Sequence, residues 1–593
     1  MGKAPLVLGP MMRNVDQTSA SIWVETSEAA RVVVRAETRS WQARTFSVRG
    51  HHYALVEVDG LQPGSSIPYS LEVNGLQAWP ELDSPFPPPV IPTLAAGRQL
   101  RLAFGSCRTS TDHGKSGNRT HGVDSLRAFA LRLAREPEHR RPDLLLFLGD
   151  QVYADSTTKE MQKFIRARRN IKEPPGKELK DYEEYAELYR LAYSDEANRW
   201  LLSTVPSAMI FDDHDVRDDW NASLSWKRKM EETSWWHGRI VAGLTSYWVY
   251  QHLGNLSPAE RAKDPLWRRI AAYPAGNDDG GDRELDLTED LEAFADRADK
   301  EPRSYRWSYC RDFGSTRLIV VDSRAARELA PERRALVDED ELAWLDEQLQ
   351  GGFRHVLIGT SLPFLLPPGL HHVESWNEAM SEGAWGPLAG WIGERLRQAI
   401  DLEHWAAFQN SFREVAGLVQ EVADGGRGPA PAIIAFLSGD VHYSYASEVQ
   451  RSAGSRIVQA VCSPIRNPLP RLMRSFTAVM SYGVATPVGA LVARSIKVPE
   501  PPFTWRGLRG PWFDNNLATV EDTGNGLAIR WEKGEADRKD PEHPRVREVA
   551  SVLLEPRQAA GPPSTQPAGP PSAQPAGPPS AQQPARRSDP LQS

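Results

Sequence analysis

The chain has 593 residues, 40% of them hydrophobic and 25% charged, with a formal net charge of −8 at pH 7. That length exceeds one ordinary hydrophobic core and asks for two or more domains; the composition is that of a soluble globular protein. The acidic balance excludes an electrostatic case for nucleic acid as main partner, and three scattered cysteines exclude a disulfide framework and fit a reducing compartment.

The chain opens Met1-Gly2-Lys3-Ala4-Pro5, with no long apolar core and no paired arginines, so a cytoplasmic location is the expectation. Up to about residue 96 the pattern is all-β. Ser19–Glu25 and Tyr53–Val58 alternate with period two, and a Gly60-Leu61-Gln62-Pro63-Gly64 turn precedes the strand pattern Ile67–Val73 and the turn Asn74-Gly75. A Leu-x-Pro-Gly turn before a Tyr-bearing strand resembles a fibronectin type III-like sandwich. The proline cluster from Pro85 to Pro92 reads as a linker, which puts a first domain at 1–96.

From about residue 97 strands alternate with helices. The apolar run Arg101–Phe104 leads to Gly105-Ser106-Cys107, after which Leu126, Phe129 and Leu133 recur at helical spacing behind a candidate cap, Asp124. The strand Leu144–Leu148 then completes a βαβ unit and implies a parallel pair. Helical, Trp-rich excursions cover roughly 156–205 and 220–300, with further strands at Ala208–Phe211, Leu318–Val321, His355–Ile358 and Ile433–Leu437 and another excursion over about 370–425. Residues 515–554 alternate again, with Leu527, Ile529 and Trp531 behind an Asn525-Gly526 turn. The second domain is therefore 97–555. Beyond it, 556–593 repeats Gly-Pro-Pro-Ser elements that have no core to bury and reads as a disordered tail. Ser475–Ala493 carries no charge and is flanked by arginines and Lys497; its Gly, Pro and Ser content points to a packed or interfacial helix, with peripheral membrane contact as an expectation, rather than to a span.

Three of the apolar runs end in metal-type ligands. Leu144–Leu148 runs into Gly149-Asp150-Gln151-Val152-Tyr153, Ala208–Phe211 into Asp212-Asp213-His214-Asp215, and Ile433–Leu437 into Ser438-Gly439-Asp440-Val441-His442. Ligands collect beyond the carboxyl ends of such strands. Four consecutive titratable groups would repel one another without a neutralising cation, and Asp440 and His442, two apart on an extended chain, project to the same side. Carboxylate, phenolate and thiolate together (Asp150, Tyr153, Cys107) suit a hard trivalent cation such as ferric iron, with zinc as a softer alternative. The proposal is a dinuclear site, ions about 3.5–4 Å apart, that activates water against a phosphoryl group. Asp150 is the bridging candidate and His214 the candidate proton donor to the leaving oxygen. Arg108, Arg217 and Arg466 are candidates to grip phosphate oxygens.

These motifs, with Asp322-Ser323-Arg324, resemble in order and spacing those of the alkaline phosphatase D (PhoD-like) metallophosphatases over about residues 1–555. The resemblance implies a mixed α/β (α+β) calcineurin-like core, a β-sandwich flanked by helices, and hydrolysis of phosphomonoesters or phosphodiesters with iron (Fe3+) and calcium; zinc or manganese are alternatives. By motif, Cys107, Asp150, Tyr153 and His442 would hold the iron, and Asp150, Asp213 and Asp440 the second ion. Asp218-Asp219 stands where some members carry an Asn pair. Two rivals follow from the residues. Gly359-Thr360-Ser361-Leu362-Pro363 half-resembles a serine-hydrolase elbow, with Pro363 in place of its second glycine. A catalytically inactive adaptor that kept the fold is the other. Trp220, Trp226, Trp235 and Trp236 are expected to pack a core rather than line the pocket.

Overall fold

Gly359 lies where two β-sheets pack closely together: a Cβ built on it would stand 3.2 Å from Leu148 Cδ2 and 3.5 Å from Leu146 Cδ2 of the facing sheet. The description rests on a computed structural model, which describes residues 5–273, 284–470, 474, 485–537 and 539–557. In the first sheet Ser207–Ile210, Leu144–Leu148 and Arg101–Gly105 run parallel. The antiparallel strands Leu517–Asp522, Leu527–Glu535 and Arg545–Leu554 extend it. In the second, Thr316–Val321, His355–Thr360, Ile433–Ser438 and Arg456–Val461 run parallel, flanked by antiparallel Tyr309–Phe313 on one side and Ser444–Val449 and Trp505–Trp512 on the other.

Period two divides the second sheet's side chains between two cores. Leu318, Val320, Leu357, Ala435 and Leu437 pack inward with Leu102, Phe104, Leu146 and Leu148 of the first sheet. Ile319, Val321, Ile358, Ile434 and Phe436 pack outward against Phe412, Val415 and Val419 of the helix Gln409–Ala423. Both faces are covered, so the strands read as unbroken apolar runs. The result is a sandwich of two sheets flanked by helices. The expected βαβ helix is Ser125–Leu133, and Asp124 caps it by accepting from the amides of Leu126 and Arg127.

Residues 6–92 are all-β, in two sheets. Period-two alternation in Ala20–Thr26 implies one wet face, yet all seven residues of that strand are buried. Helical residues cover the polar side: Tyr250 Oη donates to Glu25 at 3.0 Å, and its ring lies 5.3 Å from that of Trp23. Arg13, also buried, donates to Ser207 Oγ at 3.1 Å and to Asn255 Oδ1 at 3.2 Å. Leu285–Asp286 even adds a parallel strand beside Phe46–Val48.

No helix among the described residues is long and apolar enough to cross a membrane. Of the uncharged stretch 475–493, residues 475–484 lie outside the described residues, and the rest belongs to the helix Ala485–Ser495. The Pro-rich tail beyond Arg557 also lies outside them.

Candidate metal centre

The strand tips end in left-handed backbone. Cys107 (φ 55°), Asp150 (φ 51°), Asp440 (φ 62°) and His442 (φ 56°) all adopt positive φ, a conformation that costs a non-glycine residue about 1–3 kcal/mol and persists only where the surroundings impose it. Here they do. Cys107 N donates to Gly149 O at 3.2 Å and Arg108 N to Asp150 O at 2.9 Å. Asp150 N donates to Asp215 Oδ2 at 2.9 Å, Asp440 N to Ser106 Oγ at 3.1 Å and His442 N to Ser463 Oγ at 3.1 Å. Gly439 is obligatory, because a Cβ there would stand 1.9 Å from Ser106 Oγ. Each abrupt turn sends its side chain back over the strand ends.

All six residues expected to ligate metal meet there. Ligand atoms of Cys107, Asp150 and His442 lie within 4.8 Å of one another, as do those of Asp150, Asp213 and His214, and those of Asp212, Asp213 and Asp440. Tyr153 Oη stands 3.3 Å from Asp150 Oδ2 and 3.4 Å from His442 Nε2. Asp150 thus belongs to two groups and Asp213 to two. Asp212, not expected as a ligand, completes the third.

Such a donor set is poorly balanced without a cation. Burial, then the nearby Asp150 and Asp440 carboxylates, push the Cys107 thiol well above its ordinary value. Burial, with Cys107 and Asp150 beside it, does the same to the Tyr153 phenol. Burial and the neighbouring aspartates raise Asp150 despite the opposing His214. Asp150 Oδ1 and Asp212 Oδ2 are buried with no hydrogen-bond partner among the described residues. Thiol, phenol and carboxyl groups together with orphaned oxygens fit multivalent cations, which would replace the protons and meet the free lone pairs.

Arg324, His404, Glu374 and Asp155 orient this set. The buried Arg324 guanidinium pairs with Asp212, with Asp213 at 3.1 Å and with Glu403 at 2.7 Å. His404 sits between Glu374 (2.7 Å from Nδ1) and Asp440 (2.9 Å from Nε2). Burial works against the Asp440 carboxylate, but the His404 bond and charge hold it down at about 2. His214 Nδ1 lies 2.9 Å from Asp155 Oδ2. Burial would lower this imidazole; Asp155 and Asp213 outweigh that and hold it well above its ordinary value. His442 is the opposite case, lowered to about 4 by burial and by His214.

The three candidate arginines are engaged by groups outside the ligand cluster. Arg108 is buried, with Nε and Nη2 on the Asp124 carboxylate at 3.1 and 2.8 Å and Nη1 on Ala192 O at 2.7 Å, so its donors are spent on the scaffold. Arg217 is held by Glu178, and Arg466 by the carbonyls of Thr111, Asp112 and Gly122. Ser361 is fully buried with its Oγ 2.8 Å from Ser323 Oγ, and no histidine hydrogen-bonds it among the described residues. Trp220, Trp226 and Trp236 are buried in aromatic packing. Sequence reasoning noted Arg324 within the motif Asp322-Ser323-Arg324, which follows a strand as the other motifs do, but gave it no role. His404 and Glu374 had no such signal, lying inside a helical excursion.

Residues 126–274 match the family model described as PhoD-like phosphatase. That stretch is a PhoD-like phosphatase region. The PhoD-like match takes in Asp150, Tyr153, Asp213 and His214 and ends well before Asp440. Residues 3–91 match a family described as a domain of unknown function (DUF7800). Among solved structures, that of PhoD superposes with a TM-score of 0.55 at 14% identity, covering 94% of this chain and 91% of that one, which shows a shared fold. A purple acid phosphatase, PPD1, from yellow lupin (Lupinus luteus) seeds covers 93% of this chain and 74% of its own at 9% identity, with a TM-score of 0.46. No curated protein matches the chain.

Proposed function

We propose that this PhoD-like chain is a metal-dependent phosphoesterase that hydrolyses phosphomonoesters or phosphodiesters with two metal ions. The observation that supports it is the meeting of Cys107, Asp150, Tyr153, Asp213, Asp440 and His442, from four separate stretches of chain, at one group of strand tips. In this reading Cys107, Asp150, Tyr153 and His442 hold iron, and Asp150, Asp213 and Asp440 hold a divalent ion, calcium first with zinc or manganese as alternatives. Such ions supply positive charge that polarises the phosphoryl oxygens and makes water a nucleophile near neutral pH.

The chain's own residues do the rest. Asp155 orients the His214 ring and stabilises its protonated form, so that His214 can hand a proton to the leaving oxygen. Arg324 pairs with Asp212 and Asp213 and aims them, opposing the burial that raises both carboxyls. Glu374 and His404 do the same for Asp440. The test is metal analysis of the purified chain together with turnover of p-nitrophenyl phosphate and bis-p-nitrophenyl phosphate. Metal-dependent release of p-nitrophenol supports the reading. Bound metal without turnover would favour the adaptor alternative, and absence of both would end it.

A further inference from the structure

The metal-type ligands open onto a cavity of about 380 Å³ whose lining is mixed in chemistry. Part of it is Asp213, His214, Asp440 and His442. The rest of its lining includes the apolar Leu370 and Val373, three apart on one face of the helix Pro368–Ser381, with Ile400, Val441 and Leu469, beside the polar Glu374, Glu403, His404 and Tyr443. All five apolar residues are only partly buried, so they face the cavity rather than fill a core. Among the described residues no lysine or arginine lines it, and Asp218 and Asp401 stand exposed at its edge. Ile400 is 40% exposed at the end of the helix Pro387–Ala399, on which Leu388, Trp391 and Ile392 are 72%, 56% and 48% exposed.

We propose that the site takes phosphate esters of an apolar alcohol, an alkyl or aryl group that lies against Leu370, Val373 and Ile400 while the phosphate meets the ligand cluster. This rests on the phosphoesterase reading and names its substrate class. Apolar groups leave water for this wall with a gain that rises with every methylene covered. Sugar hydroxyls set against Leu370, Val373 and Ile400 would lose hydrogen bonds to water that these side chains cannot replace. An alcohol carrying a second anion meets Asp218 and Asp401, with no lysine or arginine among the described lining residues to receive it.

The test uses the full chain loaded with metal and non-hydrolysable phosphonates, by calorimetry. Hexylphosphonate should bind at least about tenfold more tightly than methylphosphonate, and 5-carboxypentylphosphonate should lose at least about tenfold of the hexyl affinity. Leu370→Gln and, separately, the more exposed Ile400→Gln should each shrink the hexyl-to-methyl ratio, with circular dichroism confirming the fold. Equal affinities for hexyl- and methylphosphonate, no binding of either, or a ratio that neither variant moves would overturn the proposal. Turnover of p-nitrophenyl phosphate separates the two readings. Turnover without hexyl preference removes the apolar-alcohol proposal alone, while hexyl preference without turnover upholds the pocket and removes the hydrolase.

Discussion

His404 Nε2 stands 2.9 Å from Asp440 Oδ2, although the two residues come from a helical excursion and from a strand tip. Glu374 holds the other ring nitrogen at 2.7 Å, making a carboxylate–imidazole–carboxylate chain that ends on a proposed metal ligand. Groups in this position fix a ligand's direction, and their loss costs about 10–100-fold in metal affinity or activity. His404→Ala should therefore weaken binding of the divalent ion by that order, read by titration with a metal buffer. Unchanged affinity would remove His404 from the site.

Asp150 belongs to two of the three ligand groups, so its loss should be felt at both ions. Asp150→Asn should release most of the bound metal and reduce turnover more than about a hundredfold. Elemental analysis of the purified variant is the check, and a full metal complement would contradict the bridging role.

Tyr153 Oη lies beside both Asp150 and His442, where a phenolate would reach the proposed iron. Tyr153→Phe should abolish any visible phenolate-to-iron charge-transfer band. An unchanged spectrum in a metal-replete sample would take Tyr153 out of the ligand set.

His214 lines the cavity and is braced by Asp155. His214→Ala should keep metal but slow hydrolysis of esters with poor leaving groups by about 10²–10⁴-fold. Substrates with good leaving groups, which need no proton, should suffer less. A variant fully active on an alkyl ester would show that the proton comes from elsewhere.

Arg108 is expected to matter for folding. Removing it leaves the buried Asp124 carboxylate unpaired, which costs about 3–5 kcal/mol. Burial alone would raise Asp124, but Arg108, with His113 and Arg466, holds it well below its ordinary value of 3.8. A depressed carboxylate contributes stability above that value and loses it as the pH falls towards the folded-state value. Denaturation of Arg108→Met should thus show a deficit at pH 7 that narrows in acid. A pH-independent deficit would mean lost packing rather than a lost ion pair.

Much of this molecule was legible because its signals are local. A buried strand is a short apolar run, and the residues that follow it must lie at its tip; that places Cys107, Asp150, Asp213, Asp440 and His442 without knowing the fold. The Asp124 cap and the late hairpin at Asn525-Gly526 are equally local, since neighbouring backbone decides them. Alternation located the strand Ala20–Thr26 but not its burial, for the complementary reason: which faces stay wet depends on what packs against them, and Tyr250 comes from more than two hundred residues away.

Direction, by contrast, was settled only in three dimensions. Arg108 directly follows Cys107, yet the left-handed turn at Cys107 and the pull of Asp124 carry its long side chain into the scaffold. Arg324 and His404 reach the ligands from distant chain because unpaired carboxylates buried together require positive partners, wherever the fold can supply them. Sequence alone determined which residues end the strands, since that follows from short-range periodicity. Tertiary structure decided which charged side chains meet them, since the cost of burying charge is set by every group within reach.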